Sequence, residues 1–242
     1  LANDTDGNND TLTITDFDQP ANGTLTSDGS GNFTFTPDEN WSGETNFTYT
    51  ISDGEGGTSQ ATVTLDVDGV ADAPVISDST TGGNEDTAIA LNLDPTLTDT
   101  DGSETLSISI GDIPTGATLS FVNDQNVAEE ITVTNGTADL TPEQLNGLTI
   151  TPPENDNSTI NLSVTSTATE ADGGEASTTS TLTVDVAAVN DGPEAVDDTL
   201  GGTEDQAFTF TAEQLLANDT DVDGDTLTVQ SVDQPEFGTI VD

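Results

Sequence analysis

The 242-residue chain has no lysine, no arginine, no histidine and no cysteine, and it has only one tryptophan and one tyrosine. Each absence removes a class of chemistry. Without histidine, cysteine or lysine there is no imidazole base, thiolate nucleophile or Schiff base. Zinc, copper and iron–sulfur sites lose their usual ligands. A phosphate cradle would lack its cation, and nucleic acid and anionic membrane surfaces would be repelled. No apolar run is long enough to span a bilayer, and no signal peptide is visible. Disulfides cannot contribute to stability. Carboxylate-pair hydrolysis stays open in principle, but it needs a cleft, usually with aromatic walls, and Trp41 and Tyr49 are the only Trp and Tyr.

What is present is acid. The chain has 47 Asp and Glu residues and a formal net charge of -47. A compact fold with that charge repels itself, and no side-chain cation exists to offset it. The counter-charge must come from solution. A hard divalent ion held by carboxylate and carbonyl oxygens fits best, and calcium suits such ligands.

Hydrophobic residues make up only 31%, which on composition alone suggests disorder. The pattern says otherwise. Thr11–Thr15, Phe33–Thr36, Phe47–Ile51, Ala61–Val67 and Thr181–Val186 alternate apolar residues with Thr or other polar ones. Period-two alternation marks half-buried antiparallel strands. Asp-Gly, Asn-Gly and Gly-Gly pairs punctuate the runs as turns. Only Ala212–Ala217 could make a short helical turn. The chain is expected to be all-β.

It also repeats itself. Leu1-Ala-Asn-Asp-Thr-Asp6 recurs 215 residues on (1 to 216) as Leu216-Ala-Asn-Asp-Thr-Asp221, and the match runs through Gly23-Thr24 against Gly238-Thr239. A weaker echo relates Asn84-Glu-Asp86 to Thr203-Glu-Asp205, each after a junction containing proline. Three tandem units are expected: 1–71 without its opening strand, 72–193 complete, and 194–242 the opening part of another. The whole reads as a window on a longer array. A complete unit would hold about seven short strands, as a β-sandwich does, and sandwiches in tandem make a rod whose stiffness depends on the junctions.

Some segments carry a resemblance. Phe47-Thr-Tyr-Thr-Ile-Ser-Asp53-Gly with Gly56-Gly57, and Gly147-Leu-Thr-Ile-Thr-Pro-Pro153 with Glu170-Ala-Asp172-Gly-Gly, resemble the cadherin-like repeats of giant bacterial adhesins of the RTX type, exported by type I secretion. The resemblance implies Ig- or cadherin-like antiparallel β-sandwiches in a linear rod, with calcium bound where two domains meet. It implies ligands from a Glu near the first strand, an acidic loop, the linker, and Asp-bearing loops of the next domain. At the first junction Asp38, Glu39, Asp68 and Asp72 would face Asp99, Asp101 and Asp172. At the second, Glu85, Glu154, Asp156, Asn190 and Asp191 would face Asp221 and Asp223. Glu204 is the counterpart of Glu85 in the last unit, and Asp4, Asp6 and Asp53 would cap the near end of the first. The Asp-x-Asp turns suit calcium because they direct two carboxylates from one bend, with Gly102 and Gly224 permitting it. Both linkers, Ala71-Asp-Ala-Pro and Asn190-Asp-Gly-Pro, carry fewer ligands than those of animal cadherins, so fewer or weaker ions are expected.

The plainer readings stand beside these. An Asp-Gly pair can be only a turn. Alternating Thr is common on solvated strands and needs no ice lattice. A lone Trp usually plugs a core edge rather than stacking on a sugar. Sequons such as Asn46-Phe-Thr48 matter only in a glycosylating host. The expected function is a non-catalytic, calcium-rigidified extender of a bacterial cell-surface adhesin, in cell adhesion and biofilm. Its expected partners are neighbouring repeats. Two alternatives are a calcium-dependent carbohydrate-binding module and a subunit of an extracellular filament completed by strand exchange between copies.

Overall fold

The structure is a computed structural model that describes residues 1–99, 101–171 and 173–241. It is a tandem β-sandwich protein, as the alternation predicts. The first sandwich contains β1 (Thr13–Phe17), β2 (Gly23–Ser27), β3 (Phe33–Pro37), β4 (Gly43–Ser52) and β5 (Thr58–Val67). Its sheets are β1-β4-β5 and β2-β3. Alternation along β4 turns Thr45, Phe47 and Ile51 inward, and Leu25 of β2 is buried as well. Phe33 packs edge-on against Phe17 and stacks on Phe47, with centroids 5.1 and 6.3 Å apart. Thr45 is buried because its hydroxyl donates to the Ala21 carbonyl at 2.9 Å.

The second sandwich is larger. It comprises β6 (Ser79–Asn84), β7 (Ile89–Ala90), β8 (Glu104–Gly111), β9 (Thr118–Val122), β10 (Ala128–Ile131), β11 (Ala138–Leu140), β12 (Thr149–Thr151), β13 (Ile160–Glu170) and β14 (Glu175–Ala187). These nine strands exceed the seven expected, because the loop between β9 and β12 contributes two short ones. One sheet runs β10-β9-β12-β7 and the other β11-β8-β13-β14-β6. All pairings are antiparallel except β6 with β14. The core lies between the sheets and includes Ile108, Ile110, Leu119, Ile150, Leu162, Val164 and Val184.

The inward residues of β13 change systematically. They read Ile160, Leu162, Val164, Ser166, Ala168 and Glu170, and all are buried. The large apolar residues fill the middle of the sandwich, and the series ends on a carboxylate. Beside it, β8 begins with inward-facing Glu104, followed by Leu106, Ile108 and Ile110. Glu104 and Glu170 are register partners. Strand period turns both carboxylates inward, and the β8–β13 register sets them side by side at the end of the core that faces the first sandwich.

After Ala187 the described residues form only α1 (Ala212–Leu215) and a bridge between Glu194 and Thr220. The helical turn falls where the sequence suggested, held by a reciprocal cap between Thr211 and Gln214. The alternating stretches around 206–210 and 226–230 form no strand among the described residues. Alternation needs a partner sheet, and the described residues of this segment supply none.

Candidate metal centre

At the first junction Thr98 and Asp101 of the second sandwich meet the loop after β3. Asp99 is buried and accepts from the Asp101 N–H at 2.9 Å. Gly102 takes φ 93°, the left-handed conformation expected for it. Asp101 reaches across: its Oδ2 accepts from the Ser42 N–H at 2.8 Å and hydroxyl at 3.1 Å. Hydrogen bonds from the hydroxyl and N–H of Ser103, then from Ser42, hold its carboxyl well below the usual carboxylate range. Asn40 adds a long contact to the Thr98 carbonyl at 3.5 Å.

Two acids outside the expected ligand set form the floor of this junction. Glu104 is 6% exposed and Glu170 is 5% exposed. Oε1 of Glu104 accepts from the linker N–H of Asp72 at 2.7 Å, while its Oε2 is buried with no hydrogen-bond partner. The linker lies equally close to Glu170: a Cβ on Gly69 would stand 2.6 Å from its carboxyl carbon. The available signal was period two, because Glu104 stands two residues before Leu106 and Glu170 two after Ala168.

The other residues expected here behave differently. Asp38, Glu39 and Asp68 are exposed, and Asp72 is half-buried. Asp172 lies outside the described residues. Its neighbour Glu170, not Asp172, occupies the place that Asp53 holds in the first sandwich. Each donates its N–H to the carbonyl four residues on, Gly174 and Gly57 respectively.

At the second junction Glu85 is 2% exposed and its Oε1 accepts from the Val189 N–H at 2.7 Å. The Asp191 N–H donates to Oδ2 of Asp223 at 2.7 Å, and Oδ2 of Asp191 is buried without a partner. Asp221 folds onto its own turn, accepting from Asp223 and Asp225 N–H groups at 3.0 and 3.1 Å. Asp156 likewise turns onto Ser158, whose hydroxyl and N–H hold its pKa down. Glu154, Asn190, Asp223 and Glu204 are exposed.

At the near end of the first sandwich, Asp6 repeats the Asp221 turn, accepting from the Asn8 and Asp10 N–H groups at 2.7 and 3.0 Å. Asp4 accepts from the Tyr49 hydroxyl at 2.9 Å, which raises the tyrosine pKa. Asp53 closes the β4–β5 turn on the Glu55 N–H at 2.8 Å, and its pKa is lowered by that bond first.

Among the described residues, no three acidic groups converge as a ready-made metal cage. Asp6, Asp53, Asp99, Asp156 and Asp221 satisfy N–H groups of their own turns. Four carboxylates are buried: Asp99 in the loop before β8, and Glu85, Glu104 and Glu170 at strand ends beside the linkers, in a chain without one cationic side chain. Each buried charge costs several kcal/mol unless compensated.

Fold and site together define a tandem β-sandwich with acid-lined junctions. Residues 1–68 and 189–242 match the profile of the cadherin-like domain family, so the chain belongs to that family of adhesion-type domains. Cadherin domains as a class bind calcium. Similar solved structures include the protocadherin gammaB7 EC3-6 cis-dimer, 19% identical with a TM-score of 0.44, covering 81% of this chain and 45% of that one. Mouse cadherin-23 EC22-24 is 17% identical with a TM-score of 0.44, over 74% of this chain and 52% of that one. The human desmocollin-1 ectodomain is 15% identical with a TM-score of 0.40, over 76% and 35%. The chain thus spans about half the length of these structures or less. No curated protein matches it. No helix among the described residues is long and apolar enough to cross a membrane.

Proposed function

We propose that this chain is a calcium-rigidified extender segment of an extracellular, bacterial cell-surface adhesin. It spaces an adhesive end from the cell and performs no catalysis. The observation that carries the reading is Glu104. Its carboxylate is buried at a junction between two sandwiches, beside Glu170, with one oxygen unpartnered and no side-chain cation anywhere in the chain to meet it. Such a group suits a hard cation from solution. Glu104, Glu170 and Asp99 would hold calcium at the first junction with help from Asp101. Glu85 and Asp191 would do so at the second, with Asp221 and Asp223.

When bound, calcium supplies positive charge that ties the linker to both neighbours. The chain's own residues supply the rest: each sandwich rests on its own apolar core, and the linker N–H groups of Asp72 and Val189 are already fixed by Glu104 and Glu85. The ion would therefore remove hinge freedom more than it would reshape a sandwich. The repeat motifs resembling RTX adhesins, and the all-acidic composition, support a secreted bacterial origin and the type I route.

Small-angle scattering with calcium, with EDTA, and with sodium at matched ionic strength tests this. The maximum dimension is expected to lengthen and narrow in distribution with calcium alone. Identical curves in calcium and EDTA would refute it.

A further inference from the structure

Within the second sandwich, β14 is longer than the strand beside it. It runs Glu175–Ala187, but β6 pairs with it only from Leu182 to Ala187. The chain before β6 does not continue along β14. It lies instead against the segment after β7, where Val75 and Thr96 exchange N–H···O bonds of 2.8 and 3.0 Å. At the crossing, Oδ1 of Asp78 accepts from the Thr181 N–H at 2.7 Å and stands in for a strand carbonyl. Antiparallel pairing with β13 turns the N–H groups of Ser177 and Thr179 to the same side as that of Thr181. Among the described residues no strand or loop backbone pairs with them there, and both residues are exposed.

This open stretch lacks the devices that blunt an edge, which are lysine, proline, a bulge or an inward charge. Its register with β13 is unbroken from Ile160 with Val184 to Thr169 with Glu175, so there is no bulge. Between Glu175 and Thr181 it reads Ala-Ser-Thr-Thr-Ser, without proline or charge. The other edges of this sandwich are guarded or poor. β10 carries Glu129 and Glu130, β11 is three residues long with Asp139 at its centre, and β7 is two residues long. β6 holds Gly82 and Gly83, which favour strands little. On the β14 edge, charge stands only at the two ends of the open stretch, on Glu175 and on Asp78 beside Thr181, and both are exposed. The inward-facing Ala176 and Thr178 are small and only half-buried, so an added strand could cover them further.

We propose that residues 175–181 form a strand-addition site for an extended segment of another protein, one that alternates apolar and polar residues and carries Lys or Arg at each end. The stretch is about 20 Å long, which about seven added residues would span. The added strand would accept from the Ser177 and Thr179 N–H groups and return its own, as in strand addition generally. Its apolar side chains would lie beside Ala176 and Thr178, and its terminal cations beside Glu175 and Asp78. A second copy of this chain is a poor occupant. Antiparallel pairing about Thr178 sets Glu175 of each copy opposite Thr181 of the other, where Asp78 already holds the N–H. Two carboxylates would then meet at each end, and the chain has no Lys or Arg to relieve them. A net charge of -47 likewise draws in a cationic segment and repels a copy. Asp78 and Glu175 lie outside the proposed calcium ligands, so the site stands whether or not the junctions bind the ion.

The probe is a capped peptide of alternating valine and threonine with a lysine at each end, about seven residues long. Amide hydrogen exchange of the full chain, read by NMR at low salt, should slow at Ser177 and Thr179 when the peptide is added. The same peptide with proline at its centre keeps the charge and should protect neither amide, which separates strand addition from plain attraction to a polyanion. Replacing both lysines by glutamine should weaken binding about fivefold. Asp78→Asn with Glu175→Gln in the chain should weaken binding of the lysine-ended peptide equally, and the new amide oxygen at 78 can still accept from Thr181. No protection by the lysine-ended peptide would overturn the inference, as would equal protection by the proline peptide or unchanged affinity without the lysines. Slow exchange at Ser177 and Thr179 in the chain alone, growing with its concentration, would assign the edge to pairing between copies and overturn it too.

Discussion

Glu104→Gln should have opposite effects with and without calcium. The substitution keeps the shape and leaves a carbonyl oxygen to accept from the Asp72 N–H at the 2.7 Å contact. It replaces the unpartnered Oε2 with an uncharged amide nitrogen. In EDTA the variant loses an uncompensated charge beside Glu170. The amide nitrogen can donate to the neighbouring Glu170 carboxylate, replacing a like-charge contact by a hydrogen bond to a charged group worth about 1.5–3 kcal/mol, and about 4 °C of melting temperature per kcal/mol is usual for a domain of this size. A rise of roughly 4 °C or more in EDTA is therefore expected. In calcium the variant loses a ligand. A tenfold loss of affinity is a modest figure even for groups that only orient a metal ligand. At a calcium concentration 100 times the parent's dissociation constant, the parent gains about 2.7 kcal/mol by mass action and the variant about 1.4. The increment between the EDTA and calcium melting curves should therefore fall by about half. Differential scanning calorimetry in both buffers reads both numbers. A variant less stable than the parent in EDTA, with an unchanged calcium increment, would show that Glu104 is an ordinary structural acceptor and would refute the reasoning.

Gly69→Ala should destabilise the first junction in EDTA by about 1–3 kcal/mol, the usual cost of overpacking, because its Cβ would stand 2.6 Å from the carboxyl carbon of the buried Glu170 side chain; an unchanged melting curve would show that this carboxylate is not held against the linker. The Asp101 contact with Ser42 should be acid-labile: its folded pKa is depressed, so its contribution is present above the unfolded value near pH ~4 and is lost as pH falls toward the folded one. Fluorescence of Trp41, the residue before Ser42, should follow that loss below pH ~4, and Asp101→Asn should remove the transition; an identical acid transition in the variant would place its cause elsewhere.

The strands were legible because their alternation is nearly unbroken: β3, β4, β5 and β14 fall where Phe33–Thr36, Phe47–Ile51, Ala61–Val67 and Thr181–Val186 put them. At the first junction the contacts run from Asn40 and Ser42 to Thr98 and Asp101, of which only Asp101 was among the acids expected there. The buried acids beside them were not legible. Attention to Asp-x-Asp and Asp-Gly turns favours exposed loop acids, and Asp38, Glu39 and Glu154 proved to be exposed. Glu104 and Glu170 look like the polar ends of strands until the register sets them opposite each other, and register is not written in either strand alone. The last segment illustrates the converse limit. Phe208-Thr-Phe210 has the alternation of a strand, but a strand exists only with a partner, and the described residues give it none.

The parallel pairing of β6 with β14 has a mechanical meaning. These are the first and last strands of the second sandwich, and six residue pairs join them from Leu182 with Ser79 to Ala187 with Asn84. Tension enters at the start of β6 and leaves at the end of β14, at opposite ends of the shared ladder. The load therefore acts along the strands as shear, and the ladder's bonds must yield together rather than peel one after another. Resistance to forced unfolding is set by the unfolding rate rather than by equilibrium stability, and a ladder loaded in this way slows that rate under pull. A domain of modest thermodynamic stability can on this account be a strong link in a tether.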